Sequence, residues 1–369
     1  MFTKICIQRR DCLLLFSIIA FWLGSGSNAF AHGDETLTDE TIWRSWPFTA
    51  EIVLLTALAI VVYVRGMTRI RSGSARKRRY QAVFFFTGLA AIFLALQSPI
   101  DPIAERLFSI HQLQHFLLRM LGPMLLALAA PQGVLIAGLP RNWRRPIFKY
   151  IGSKRWLRRV LAVLMNPAFV WVSFIASLYI WQIPAFHNTA LNNSVIHYIM
   201  HISMLVSGLL FWGLIFDHRD AANTVSHALR LLMLLGAIVS NILLGALITL
   251  KEVVIYTAYD DAGPRLFDVM PLVDEGMGGY IIWVPSSMMC LVAILIVIHG
   301  WGKHEARHYA RRHNWLSANS VALEFPETAE ELWIKVDKVN VSTAYVLAAI
   351  PVSMFVVALG TALIVSYVS

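Results

Sequence analysis

Cysteine is scarce in this chain of 369 residues. Only three cysteines are present, and Cys6 and Cys12 fall in an N-terminal segment that we expect to be removed as a signal peptide. Cys290 would then be the only cysteine of the mature chain, which excludes an intramolecular disulfide and any Cys-x-x-Cys metal or redox site. A bound metal would therefore need histidine, methionine or carboxylate ligands.

Charged residues are also scarce, at 14% of the chain against 57% hydrophobic residues. This composition excludes an ordinary soluble domain, and several runs reach the length of about 20 apolar residues that crosses a bilayer. We therefore predict an all-α, polytopic membrane helix bundle embedded in the lipid bilayer. The net charge of +9 does not indicate a nucleic-acid partner, because the basic residues cluster in short loops between apolar runs.

The first 31 residues have the pattern of a secretory signal peptide. An apolar core at 12–23 precedes the small-x-small motif Ala29-Phe30-Ala31, and basic residues stand before it. Cleavage there would make His32 the mature N-terminus, where the amine and the imidazole together can chelate copper. The alternative, an uncleaved first helix, stays open.

Eight helical spans are predicted after the signal peptide, because lipid accepts only helices or closed barrels. Their approximate bounds are 48–64, 80–97, 115–139, 160–183, 195–216, 229–250, 280–300 and 343–368. The predicted domains are a seven-span membrane domain at 32–310, a cytoplasmic linker at 311–342 and an additional C-terminal transmembrane helix at 343–369.

Lysine and arginine predict the orientation of these spans. Residues 65–79 carry seven of them and residues 141–159 carry eight, whereas 184–194 carry none. By the positive-inside rule, the mature N-terminus and the 184–194 loop lie outside the bacterial cytoplasmic (inner) membrane.

Two pairs of histidines occur where apolar helices begin on the predicted outer side. His111 and His115 are four residues apart, and so are His197 and His201. Positions i and i+4 of a helix share one face. Imidazole is a common ligand of copper, zinc and haem iron, and polar groups near lipid are often functional. We predict a metal site from these four residues.

Other residues near the predicted outer face can contribute to this site. Asp274, before the seventh predicted span, can supply an oxygen ligand or pair with Arg119, which lies one turn beyond His115. Glycines after Asp274 allow a tight turn or close helix approach. Nearby methionines offer soft thioether ligands that suit Cu(I), although methionine is also a common core residue. They are Met120, Met124, Met200, Met204 and Met277.

The segment His304-Glu305-Ala306-Arg307-His308 matches the H-E-x-x-H pattern of zinc proteases. That chemistry also needs a third ligand and a shielded cavity. Here the motif belongs to a basic tail on the predicted inner side, so we do not expect proteolysis.

Together, these motifs resemble the CtaG family of multi-span assembly factors for caa3-type cytochrome c oxidase. The resemblance rests on His111-Gln112-Leu113-Gln114-His115 followed by an apolar helix to Pro131, on the second histidine pair, and on Asp274 through Gly278-Gly279 to Trp283-Val284-Pro285. It covers approximately residues 45–310. Glu275 stands where the family pattern is expected to have an amide. The resemblance implies a role in maturation of haem–copper oxidases, at the copper step.

The sequence therefore predicts a non-enzymatic, chaperone-like assembly factor whose partners are cytochrome c oxidase subunits, a copper ion and the lipid bilayer. The predicted metal ligands are His111, His115, His197, His201 and Asp274. The alternative is a b-type haem electron carrier with bis-histidine ligation. A transporter also stays open, because Arg119 and Asn241 are polar groups within predicted spans.

Overall fold

A computed structural model describes residues 38–70, 74–217, 225–261 and 266–318, together with scattered positions between 341 and 356. These residues form helices and connecting turns, with no strand among them, which confirms the all-α prediction. The chain has two compact units, Met1–Ile42 and Trp43–Ser369. The described part of the first is a short turn in which Thr38 and Thr41 hydrogen-bond to each other.

The helices of the second unit are numbered here in chain order. They are α1 (Ala50–Arg69), α2 (Ala75–Gln97), α3 (Ile100–Ala104), α4 (Phe108–Phe116), α5 (Gly122–Ala129), α6 (Gln132–Gly138), α7 (Arg141–Ser153), α8 (Arg155–Leu164), α9 (Pro167–Gln182), α10 (Pro184–Asn192), α11 (Ser194–Ile215), α12 (His227–Leu250), α13 (Ala258–Asp261) and α14 (Pro271–Ala318). A π-helical turn, Leu117–Leu121, joins α4 to α5.

Five of these helices are long and apolar enough to cross a membrane: α1, α2, α11, α12 and α14. Two bent pairs, Phe108–Ala129 with α6 and α8 with α9, raise the count among described residues to seven if each pair is one span. These seven correspond to the first seven predicted spans. The signal peptide lies outside the described residues, and so does most of the predicted eighth span.

Four spans begin several residues earlier than the sequence predicted, and the difference is largest for the third and the seventh. The third begins at Phe108 rather than near 115, and the seventh at Pro271 rather than near 280. In both, polar residues lower the hydropathy of a first turn that is nevertheless helical. The seventh span also continues to Ala318, into the predicted linker.

The bends follow from local sequence. Asn166 caps α9 by accepting hydrogen bonds from the backbone N–H groups of Ala168 and Phe169, and Pro167 occupies the first turn, so the chain turns by 62° between α8 and α9. Between α5 and α6, Ala130 is left-handed (φ 45°) and Pro131 follows, giving a bend of 71°.

Three apolar clusters occur among the described residues: one joins α1, α2 and α5 through Tyr63, Phe85 and Ala129, and two others involve α9, α11, α12 and α14. The larger of these two lies among α9, α11, α12 and α14 and includes Phe174, Phe211, Trp212 and Cys290. The smaller of the two contains Phe108, Tyr256 and Tyr259, with residues of α9, α11, α12 and α14. The smaller cluster lies at the end of the bundle where α4, α11 and α14 begin, directly beside the predicted histidine site.

Candidate metal site

The structure brings all four predicted histidines together. On α4 and α11, the i,i+4 spacing places the two rings of each pair one turn apart, with centroids 4.4 Å apart and planes inclined at 56° and 64°. Between the helices, the ring centroid of His111 lies 5.3 Å from that of His197 and 6.0 Å from that of His201, and the centroids of His115 and His201 are 5.7 Å apart. We call these four residues the histidine cluster.

The tightest part of the cluster is a group of three: His111, His115 and His201. Each of the three histidines has one ring nitrogen that lies within 4.8 Å of a ring nitrogen of the other two, which is close enough for all three to bind one ion. His111 is fully buried, and His115 and His201 are 2% and 8% exposed. His197 is only partly buried and shares a 3.2 Å Nε2–Nε2 hydrogen bond with His201.

Several nitrogens of the cluster have no hydrogen-bond partner among the residues that the structure describes. They are Nε2 of His111 and both ring nitrogens of His115. Burying an imidazole nitrogen without a partner is costly, so such groups need an explanation in a folded protein. A metal ion that accepts the lone pairs of His111 Nε2 and of one nitrogen of His115 would remove part of this cost. The donor set therefore fits a metal, while the role of these histidines as ligands stays a prediction.

A series of hydrogen bonds links His111 to Tyr259, His187 and the Trp181 carbonyl. The Tyr259 hydroxyl lies 2.7 Å from Nδ1 of His111 and 2.8 Å from Nε2 of His187. The other nitrogen of His187, Nδ1, lies 2.9 Å from the carbonyl oxygen of Trp181. Burial lowers the pKa of His187 to about 4, although the Trp181 carbonyl opposes this shift. Burial likewise raises the pKa of Tyr259 well above its ordinary value, and nearby carboxylates raise it further.

Asp274 was predicted as a ligand or as a partner of Arg119; its role as a ligand stays a prediction, and its carboxylate lies at the start of α4. The two oxygens accept hydrogen bonds from the backbone N–H groups of Phe108 (2.7 Å) and Ser109 (3.0 Å), at the start of α4. The first N–H groups of a helix have no partner within the helix, and a carboxylate there is also favoured by the helix dipole. Asp274 therefore orients the helix that carries His111, and it is not part of the three-histidine group.

Glu275, the position at which an amide was expected, holds the adjacent loop. It pairs with Lys251 and accepts hydrogen bonds from the backbone N–H groups of Ile255 and Tyr256. An amide at this position would have no negative charge to pair with Lys251. Asp274 and Glu275 thus attach the start of α14 to α4 and to the 251–256 loop, respectively.

Arg119 is buried, and its described hydrogen bonds are not to an acid. Its guanidinium donates to the Phe174 carbonyl from Nε and Nη2, and Cζ lies 3.7 Å from the centroid of the Phe174 ring. Pro123 has no N–H to donate to the Arg119 carbonyl four residues earlier, and the indole of Trp212 donates to that carbonyl instead. The predicted pairing of Arg119 with Asp274 is therefore wrong.

The predicted turn after Asp274 is helical, and its glycines allow close helix approach. A Cβ added at Gly278 would lie 2.2 Å from the Phe108 ring. Met120 and Met124 belong to the larger apolar cluster and Met204 to the smaller one, Met200 is buried, and Met277 is exposed; the role of the methionines as ligands stays a prediction. His32 lies outside the described residues.

The protease-like motif shows no shielded site in its described part. His304 and Glu305 are exposed on α14, and Glu305 accepts a hydrogen bond from the Trp301 indole.

Sequence reasoning missed two residues of the site. His187 was assigned to the correct end of the bundle without a role, because a single histidine in a short loop has no spacing signal. Tyr259 lies 148 residues from His111 along the chain, and only the tertiary fold brings them together.

Comparison with known proteins gives the family. The sequence model described as "Cytochrome c oxidase caa3 assembly factor (Caa3_CtaG)" matches residues 61–304. Uncharacterised proteins of Mycobacterium bovis and Mycobacterium tuberculosis are each 25% identical over 280 residues, which cover 73% of this chain and 41% of the relative. One of Mycobacterium leprae is 24% identical over 279 residues, covering 72% of this chain and 40% of the relative.

The chain thus spans about two fifths of the length of the curated relatives it matches. No solved structure matches it. The family match covers well over half of the chain and includes α2 to α12, both histidine pairs and most of α14. The chain belongs to the caa3-type cytochrome c oxidase assembly factor family, Caa3_CtaG.

Proposed function

We propose that this protein binds copper through its histidine cluster, on the outer face of the bacterial cytoplasmic membrane, and passes it to a subunit of a haem–copper oxidase during assembly. In this role copper is cargo, and the protein acts as a chaperone without turning over a substrate. Family membership supports the assembly role. The single observation that carries the copper step is the group of three buried histidines, in which His111 and His115 have ring nitrogens without a hydrogen-bond partner among the described residues.

The chemistry of these donors favours copper among the available divalent ions. Imidazole binds Cu(II) more tightly than the other first-row divalent metals, and it also binds Cu(I). The described residues of the cluster offer no carboxylate that would favour a hard cation such as Mg²⁺. An oxidase assembly factor also has a reason to handle copper, since the oxidases in question contain it.

The ring packing supports a small ion over the alternative of a bis-histidine haem. The four histidine rings lie against one another, with centroids 4.4 to 6.0 Å apart between members of the cluster. A porphyrin would need a flat slot between two facing imidazoles. No described observation favours the haem alternative.

The gradient of burial across the cluster supports release as well as capture. His111 is fully buried, whereas His197 is partly exposed and hydrogen-bonded to His201. In this proposal the ion enters and leaves past His197, the least buried member of the cluster. Transfer to another protein requires such access, because a closed set of protein ligands would retain the ion.

Oxidase assembly in cells tests this proposal. We expect His111→Ala, His115→Ala or His201→Ala to lower the copper content and activity of the oxidase at equal levels of the assembly factor. His304→Ala, an exposed histidine on α14, is the matched control and should leave both unchanged. If the control variant lowered oxidase copper and the cluster variants did not, the proposal would be wrong.

A further inference from the structure

We propose that Tyr259 and His187 are positioning residues that fix the tautomer of His111, so that its Nε2 is the nitrogen presented to the metal. This inference rests on the proposed copper-binding function and specifies how that site is prepared. It depends on the direction of the hydrogen bonds in a chain of four groups: the Trp181 carbonyl, His187, Tyr259 and His111.

The direction is set at the Trp181 end of the chain. A carbonyl oxygen can only accept, so Nδ1 of His187, at 2.9 Å, must carry the proton and donate. In a neutral imidazole the other nitrogen is then an acceptor. Nε2 of His187 therefore accepts from the Tyr259 hydroxyl at 2.8 Å.

The hydrogen bonds of the Tyr259 hydroxyl determine which nitrogen of His111 carries the proton. The Tyr259 hydroxyl has one proton, which it donates to His187, so its oxygen is left to accept. The group 2.7 Å away is Nδ1 of His111, which must be the donor and carry the proton. Nε2 of His111 then has a free lone pair, and Nε2 is the nitrogen without a hydrogen-bond partner.

The chain has this direction because His187 is neutral. Its ring is fully buried, and its described hydrogen-bond partners are a carbonyl and a hydroxyl rather than an acid. A buried imidazolium without an acidic partner would be costly, and the other histidines nearby would not stabilise it.

The surrounding packing holds the chain in place. Tyr259 is 2% exposed, and its ring makes an edge contact with Phe108, 5.9 Å between centroids. His187 is held between Phe108 and Tyr256, with centroids at 5.5 and 4.8 Å. A metal-binding histidine usually donates a hydrogen bond from its second ring nitrogen to a neighbouring oxygen acceptor, and losing that acceptor typically lowers metal affinity about 10- to 100-fold.

The structure provides a matched control for Tyr259. Tyr256 lies three residues before Tyr259 and is as deeply buried, but its hydroxyl donates to the backbone and side-chain oxygens of Gln182 rather than to a histidine. Tyr259→Phe and Tyr256→Phe each remove one buried hydroxyl. Only the first breaks the chain to His111.

The experiment uses the full-length protein in detergent, with Cu(I) as the probe. Competition with a chromogenic chelator should show a loss of affinity of about 10- to 100-fold for Tyr259→Phe and no change for Tyr256→Phe. His187→Gln, which keeps an acceptor for Tyr259, should lose less affinity than His187→Leu. Equal affinities for the two phenylalanine variants would overturn the inference.

A second measurement reads the tautomer without any metal. In protein labelled with ¹⁵N-histidine, the His111 signals, assigned by difference from His111→Gln, should show a protonated Nδ1 and a free Nε2. Tyr259→Phe should shift them towards the other tautomer, and Tyr256→Phe should not. If the wild-type protein did not bind Cu(I), the proposed function would fail, but this spectrum would still decide the inference. A His111 protonated on Nε2 would overturn it.

Discussion

Replacing Asp274 by alanine tests the idea that a single carboxylate attaches α14 to the helix that carries His111 and His115. The side chain is 1% exposed and accepts two hydrogen bonds, from the N–H groups of Phe108 and Ser109. Alanine would leave both donors buried at a helix end without a partner. No other acceptor for these two N–H groups is present among their described contacts.

The cost can be worked from these two bonds. A hydrogen bond to a charged group contributes about 1.5–3 kcal/mol, so losing both costs about 3–6 kcal/mol if they are additive. Asp274→Asn keeps one acceptor oxygen and loses the charge, and we expect it to cost about half as much. We expect Asp274→Glu to be intermediate, because the longer side chain keeps the charge but shifts the oxygens.

Thermal unfolding of the purified protein in detergent measures this effect. The control is Glu252→Ala, which removes an exposed acid in the preceding loop and should not change the midpoint. A midpoint for Asp274→Ala equal to that of the control would refute the reasoning. Because Arg119 has other partners, Arg119→Leu and Asp274→Leu should also give additive losses when combined. Recovery of stability in the double variant would indicate that Arg119 and Asp274 are paired, contrary to their hydrogen bonds in the structure.

Three further predictions follow from local geometry. Gly278→Ala should destabilise by about 1–3 kcal/mol, since its Cβ would meet the buried Phe108 ring at 2.2 Å, whereas Gly276→Ala, with 3.9 Å to the nearest atom, should be tolerated in the same unfolding assay. Burial and the charge of Glu105 raise the pKa of Asp101 to about 7. The stability that protonated Asp101 contributes is therefore present below its unfolded pKa and is lost as the pH rises towards 7, so the stability gained by Asp101→Asn should grow over that range. A gain in stability that did not change with pH would contradict the raised pKa. A cysteine placed at Asn192 should react with an impermeant reagent added outside the cell and one at Ser74 should not, and the reverse result would overturn the predicted topology.

Much of the fold was predictable because the spans are long and apolar. Apolar length alone located the helices of the five to seven candidate spans among the described residues, and the i,i+4 spacing placed the rings of each histidine pair on one face. Sequence hydropathy failed at the starts of α4 and α14, where polar residues occupy the first turn. Those turns are helical because tertiary contacts, such as Asp274 with Phe108, satisfy their polar groups.

The candidate site was predictable only in part. Because both histidine pairs were predicted on the same side of the membrane, the sequence indicated that they could meet. It did not indicate how close α4 and α11 lie to each other. Asp274 was noticed for its charge, yet a carboxylate that caps a helix and one that binds a metal look the same in sequence. Tyr259 and His187 gave no signal, because their contribution depends on hydrogen bonds between residues far apart in the chain.

The measurement that tests the central claim most directly is the copper content of the purified protein. After loading with Cu(I) under reducing conditions and removal of the excess, the wild type should retain about one copper ion per chain, held by imidazole donors. A variant in which His111, His115, His197 and His201 are all alanine should retain almost none, while His304→Ala should match the wild type. Equal copper content in the wild type and the fourfold variant would contradict the account.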